Sequence, residues 1–394
     1  MKSIILDNGI RLNYSSNSNE ISSICIGFEA GAAVEEKLGI AHAVEHMVYK
    51  GTKNRTEEQI NNELSEIFAF QNAMTNYPYV IYYGSLLKED LEKGLDIFAD
   101  ILINPLFSNE GFKEEMNVIL QELNEWDEEL EQYCEDALFY NAIEDRLKYP
   151  IIGVEDKLKL LTLDDLKDFY YNHYNPYNMV ITIVSSLAFE EVLNLVKEKF
   201  LWWNNSIKYK KNLFNRNLIS GKFVKSKKGI SNSRVEMIFD ISKLNNRELG
   251  CLTVFDEYFG KGVNSILFNE LRTKAALVYD VLTNVAYEKY ISFYKISFST
   301  KEDKVEEAIN IINNSINNIE KIEDLDIKKM IKRIRMKKLF EQEKSIVVAK
   351  ELTTNSVMDR KIEIKDDITL KEVIRVVSSI LKNPSIQIIN KEDE

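Results

Sequence analysis

His42 and His46 stand four residues apart with Glu45 between them, in the stretch Gly39-Ile-Ala-His-Ala-Val-Glu-His-Met47. The chain of 394 residues holds only three histidines, so two of them within one helical turn is a concentrated use of a scarce residue. Positions four apart lie on one face of a helix. Both imidazoles can therefore grip one metal ion, and Glu45 reaches the same side. The order His-x-x-Glu-His reverses the commoner His-Glu-x-x-His zinc motif. Two ordinary helix-surface histidines are the bland alternative.

A catalytic zinc takes three protein ligands and keeps one position open. The remaining histidine, His173, lies in Tyr171-Asn-His-Tyr174 at the end of a helix and reads as structural. A carboxylate is the better third ligand, and residues 110–131 offer nine of them, Glu110, Glu114, Glu115, Glu122, Glu125, Asp127, Glu128, Glu129 and Glu131. Spacing alone does not choose among them. Glu115 and Glu122, seven apart, share a face with Val118 and Ile119, and a carboxylate on a buried face needs a partner.

The elements that must position these groups follow from pattern. Strand signals at 3–6, 10–14 and 22–28 are joined by Asn-Gly and Ser/Asn-rich turns. The motif helix runs over about 37–49, and Thr56-Glu-Glu-Gln starts another, with Thr56 as cap. Residues 72–86 read as one strand, 88–103 as a helix stopped by Pro105, 109–140 as a long acidic helix and 179–184 as a strand. Pro150 and Gly153 mark a loop, and Thr162 begins a helix. In the second half, strands at 233–241 and 291–299 alternate with helices at 248–258, 263–275, 303–320 and 325–358. The polar, basic stretch 203–220 is unpatterned and marks a boundary. The expected domains are 1–205 and 221–394, with 206–220 as linker. The two halves are alike in length and element order, which suggests a duplicated pair of α+β domains, each a mainly antiparallel sheet packed with helices.

Composition bounds the rest. Hydrophobic residues make up 45% and charged residues 29%, as in globular chains, and the length calls for two domains. A net charge of −12 argues against nucleic acid as a partner. Cys25, Cys134 and Cys251 are far apart and odd in number, which suits a reducing compartment. The N-terminal apolar run is too short for a signal peptide, and no stretch approaches a membrane span, so a cytoplasmic location is expected. The basic run Lys328–Lys338 reads as the solvated face of a helix whose Met330, Ile331, Ile334 and Phe340 face the core.

The stretch Gly39-Ile-Ala-His-Ala-Val-Glu-His-Met-Val-Tyr-Lys-Gly-Thr52 resembles the signature of the pitrilysin family of inverzincins, which includes insulin-degrading enzyme and the mitochondrial processing peptidases. Further segments resemble that family in order: Asn72-Ala-Met-Thr75, Glu115-Met-Asn-Val-Ile-Leu-Gln-Glu122, Tyr149-Pro-Ile-Ile-Gly153, Tyr174-Asn-Pro-Tyr-Asn-Met179, and Leu267-Phe-Asn-Glu-Leu-Arg272 followed by Leu277-Val-Tyr279. The resemblance covers nearly the whole chain. It implies His42, His46 and Glu122 as ligands of one zinc ion per active chain, Glu45 as general base and Glu115 as the carboxylate supporting the site. It implies Asn72 and Ala73 as the edge strand along which a peptide lies, and Arg272 and Tyr279 as groups reaching the substrate from the second half.

The implied activity is a zinc metalloendopeptidase acting on short or unfolded peptides, including a precursor. The implied architecture is half of a clamshell, completed as a homodimer or as a heterodimer with a related subunit. The alternative is a non-catalytic scaffold subunit of a peptidase heterodimer. Three departures bear on substrate preference: Phe68-Ala69 replaces a Gly-Gly, Ala276 a glycine, and Ser185-Ser186 a glycine-containing turn.

Overall fold

The structure is a computed structural model describing residues 1–204, 218–323 and 325–392. Among the described residues the strands form two mixed sheets, one in each of two compact units. The first unit holds β1 (Lys2–Ile5), β2 (Arg11–Ser16), β3 (Ile21–Phe28), β4 (Phe68–Thr75), β5 (Val80–Leu87) and β6 (Met179–Ser185), in the order β1-β2-β6-β3-β5-β4. Only β2 and β6 run parallel; the other neighbours are antiparallel. β6 is buried at every position, as its apolar, β-branched sequence requires when both faces of a sheet are covered.

The second unit holds β7 (Gly221–Lys227), β8 (Ser233–Asp240), β9 (Val281–Tyr287), β10 (Ser292–Thr300) and β11 (Ser385–Lys391), in the order β7-β11-β8-β10-β9. This repeats β2-β6-β3-β5-β4, down to the single parallel pair at the same place. The expected pair of similar, mainly antiparallel α+β domains is what the chain forms. Val235, Met237 and Phe239 point from β8 into the core of this unit, against the helices Asn246–Phe259 and Leu370–Ile380.

The units are not divided by one cut in the chain. The expected linker at 206–220 lies mostly outside the described residues. Glu125–Lys148 belongs to the second unit and Glu341–Arg360 to the first. The reason is packing: the helix Leu130–Ala142 lies on β11 and β8, and the helix Ser345–Met358 on β3, β6 and β5. The second of these docks through hydroxyls, with Thr353 Oγ1 2.7 Å from Thr182 Oγ1 and Ser345 Oγ 2.7 Å from Ser23 Oγ.

Several expected elements divide. The run 72–86 is a hairpin, β4 and β5, because Asn76 and Pro78 turn the chain; the Asn76 N–H donates to Tyr79 O at 2.7 Å. The acidic helix breaks at Glu129, whose backbone is extended, giving Asn109–Glu128 and Leu130–Ala142. The region 325–358 likewise forms Ile327–Glu341 and Ser345–Met358. Strands β7, β9 and β11 have no counterpart in the sequence reading. On the basic helix, Met330 is buried in the core with Ile331 and Ile334 packed against it, as expected, whereas Phe340 is 72% exposed; Arg333 and Lys337 add pairs to the buried Glu257. Among the described residues no helix is long and apolar enough to cross a membrane.

Candidate metal and peptidase site

The motif residues sit on helix α1 (Ile40–Met47), whose start carries no Ser, Thr or Asp cap. Glu35 supplies the missing acceptors: Oε1 takes the Gly39 N–H at 2.8 Å and Oε2 the Ala41 N–H at 3.0 Å. A carboxylate there also complements the helix dipole. Gly39 has φ +82°, and a Cβ on it would lie 2.5 Å from Leu158 and 2.7 Å from the Ile152 carbonyl. Gly153 faces it so closely that its own Cβ would meet Gly39 Cα at 2.9 Å. The loop after Pro150 is thus the seat of the motif helix. After α1, Thr52 Oγ1 donates to the buried Asp100 at 2.6 Å and accepts from the Arg55 N–H at 2.8 Å, which anchors the turn that follows. Helix α2 (Glu57–Ile67) then starts at Thr56 with the expected reciprocal cap to Gln59.

His42 is buried and His46 half-buried, with ring centroids 4.6 Å apart. Glu122, on α3 (Asn109–Glu128), turns Oε2 to within 3.7 Å of His42 Nε2 and 3.6 Å of His46 Nε2. One donor atom from each of the three lies within 4.8 Å of the others. Donors at ~2.0–2.1 Å from one ion at tetrahedral angles are about 3.4 Å apart, so this set fits zinc and leaves a fourth direction. Burial, with His46 beside it, pushes the His42 pKa down to about 3; the ring is neutral, as a ligand must be.

Glu115 lies two helical turns before Glu122 and pairs with His46 Nδ1 at 2.8 Å. This is the arrangement that fixes a ligating imidazole's tautomer and ring plane. Burial would raise the Glu115 pKa, but the His46 hydrogen bond and Lys50 hold it below the usual range; Lys50 Nζ is 3.3 Å from Oε1. Burial lowers the His46 pKa, and the Glu115 bond with the carboxylates around it more than reverses this. Ile119 is fully buried between the two glutamates, whereas Val118 is 45% exposed, on the open side of their stripe.

Glu45 accepts a hydrogen bond from Thr75 Oγ1 at 2.5 Å. Burial raises its pKa, partly offset by that bond and by His46. Asn72 and Ala73 lie on β4, the outermost strand of its sheet, paired on one side to Tyr83 and Tyr82 of β5. The Asn72 side-chain oxygen covers the Ala73 N–H at 2.9 Å, which blunts that edge. Phe68 does not enter a groove. It is buried against Phe98, with ring centroids 5.2 Å apart, and a β-bulge between Phe68 and Phe70 absorbs Ala69.

In the second unit, Arg272 sits on the π-helical turn Asn269–Lys274 with its guanidinium 4.7 Å from the Tyr279 ring and 4.8 Å from that of Phe268. Tyr279 is 83% exposed. Ala276 has φ +50°, the left-handed backbone that explains a glycine there. Ser185 makes its own turn, accepting the Leu187 N–H at 3.1 Å.

His173 is not among the three clustered donors; its ring packs on Phe169 and burial pushes its pKa down to about 4. Sequence reasoning missed Glu35 and Thr75. An uncapped helix start could have pointed to Glu35. Nothing local points to Thr75, thirty residues from its partner.

Residues 11–155 match the family described as Insulinase (Peptidase family M16) and residues 160–333 match Peptidase M16 inactive domain. An uncharacterized zinc protease of Rickettsia felis is 27% identical over 395 residues, 98% of this chain and 93% of that protein. A probable mitochondrial-processing peptidase subunit beta of Arabidopsis thaliana is 33% identical over 199 residues, 50% of this chain and 38% of that protein. A solved structure of a protease from Helicobacter pylori shares the fold, with a TM-score of 0.89 at 19% identity over 99% of both chains. The class is that of the zinc peptidases of paired α+β domains. Within it, the chain belongs to the insulinase family, peptidase family M16.

Proposed function

We propose that this chain is a zinc-dependent metalloendopeptidase that hydrolyses peptide bonds in short or unfolded peptides, among them a precursor. The observation that carries this is the convergence of His42, His46 and Glu122 beside a half-buried Glu45. Zinc held by those three, one ion per active chain, would lower the pKa of a water towards ~7 and polarise the scissile carbonyl. Glu45 takes the attacking water's proton and delivers it to the leaving amine; its raised pKa suits a group that must hold a proton between the two transfers. Glu115 keeps His46 in the tautomer whose Nε2 carries the lone pair. An extended peptide adds to the open edge of β4 at Asn72 and Ala73, displacing the Asn72 side chain from the Ala73 N–H, so main-chain bonds supply affinity with little sequence demand. Tyr279 donates to the developing oxyanion and Arg272 supports it; their mutual stacking favours their acting as one unit.

A relative named as a processing peptidase subunit supports a precursor as substrate and a related chain as partner, with a homodimer as the alternative assembly. Three free, buried cysteines favour a cytoplasmic location. A scaffold subunit would have no use for Glu45 beside intact ligands. Metal analysis with peptide-library cleavage by wild type and Glu45→Gln tests the reading. We expect one zinc in both and cleavage in the wild type alone, abolished by chelation and restored by zinc. A Glu45→Gln chain that cuts as fast as wild type would overturn it.

A further inference from the structure

We propose that Thr75 is a positioning residue for Glu45, whose hydroxyl ties the general base to the end of the strand on which the peptide lies. The inference rests on the peptidase reading above. Thr75 is the last residue of β4, and its hydroxyl donates to Glu45 Oε2 at 2.5 Å. A glutamate on a helix has three rotatable side-chain bonds, and a base must be held near one geometry to act. The short hydrogen bond to Oε2, with the Thr75 backbone N–H donating to the same carboxylate, removes much of that freedom.

The donor is itself fixed from several sides. Thr75 pairs with Val80 across the β4–β5 hairpin. The turn that follows is bound to the segment before α1: the Ala32 N–H donates to Asn76 O at 3.0 Å and the Ala33 N–H to Tyr77 O at 2.8 Å. Gly31 admits this contact, since a Cβ on it would fall 2.1 Å from Asn76 O. Three residues beyond Ala32, Glu35 caps α1 through Gly39 and Ala41. The helix carrying the base and the strand carrying the peptide are thus bound at two places, through Glu35 and the turn at one and through Thr75 at the other. A peptide that pairs along β4 takes its register from the same strand that aims Glu45. The base is thereby set relative to the scissile bond and not only relative to the metal ligands.

The test is Thr75→Val, which keeps the shape and the backbone N–H and removes only the hydroxyl donor, beside Thr75→Ser, which keeps the hydroxyl. We expect Thr75→Val to lower kcat about ten- to a hundredfold with KM within about twofold of wild type and zinc still at one per chain. Thr75→Ser should recover most of kcat. A valine variant within about threefold of wild-type kcat, or one whose loss lies in KM or in zinc content, overturns the proposal, since the threonine would then serve the strand or the metal. Should the valine chain not fold, Thr75→Ala read by the same split decides. Glu45→Gln run in parallel separates the failures: an inactive glutamine variant beside a fully active valine variant removes only the role of Thr75, whereas an active glutamine variant removes the peptidase reading itself.

Discussion

His46 and Glu115 meet at 2.8 Å between Nδ1 and Oε2, so the inner edge of one proposed ligand is held by a carboxylate from another helix. Glu115→Gln keeps an acceptor there but removes its charge. We expect zinc affinity to fall about ten- to a hundredfold, measured by competition with a chromophoric chelator. An unchanged affinity would show that packing alone orients the imidazole.

Gly39→Ala forces a side chain into a left-handed position and against the Ile152 carbonyl. The strain is on the order of 2 kcal/mol or more. It acts where α1 is seated, so we expect a lower melting temperature together with reduced zinc content. Loss of stability with full zinc binding would show that the helix moves as a block without opening the site.

Glu236 is fully buried in β8, and burial, only partly offset by Lys295 and Arg234, pushes its pKa up to about 7. A carboxyl that holds its proton more tightly folded than unfolded lowers stability as pH rises, here from about 4.5 to about 7, and the full cost is present above that. Glu236→Gln should flatten this window and be more stable at pH 8 by on the order of 2 kcal/mol. Urea titrations at pH 5 and pH 8 check it; the same difference between wild type and variant at both would reject it.

Ala276 holds φ +50° without being glycine. Ala276→Gly relieves about 1 kcal/mol of strain, less what glycine gains in the unfolded chain. We expect a small rise in melting temperature with kcat unchanged. A fall would mean that the methyl group packs favourably enough to outweigh its backbone.

Much of the site was legible because helical periodicity is local. The spacing of His42, Glu45 and His46 predicts one face, and α1 presents it. Thr56 and Thr162 cap their helices as read, since a cap needs only its own first turn. The strand at 72–86 was misread because alternation alone does not register a four-residue turn inside it, although Asn76 and Pro78 were there to mark one. Val118 shares the stripe of Glu115 and Glu122 by helical pitch but stands on its open side, 45% exposed, whereas Ile119 is fully buried, and pitch alone does not say which border of a stripe will be covered. The chain order also concealed the exchange of helices: Leu130–Ala142 and Ser345–Met358 each pack on the sheet of the other half, and no local pattern says which sheet an amphipathic helix will cover.

By itself the sequence determined the chemistry on offer: two imidazoles a turn apart, a carboxylate between them, and glutamates seven apart on one later helix. These follow from residue type and helical pitch. Only the tertiary structure decided which of the nine carboxylates turns towards the imidazoles, which one braces His46, and that a threonine at the end of an edge strand holds Glu45. Such choices depend on where separate elements pack, and packing is settled by the whole buried surface and not by spacing along the chain.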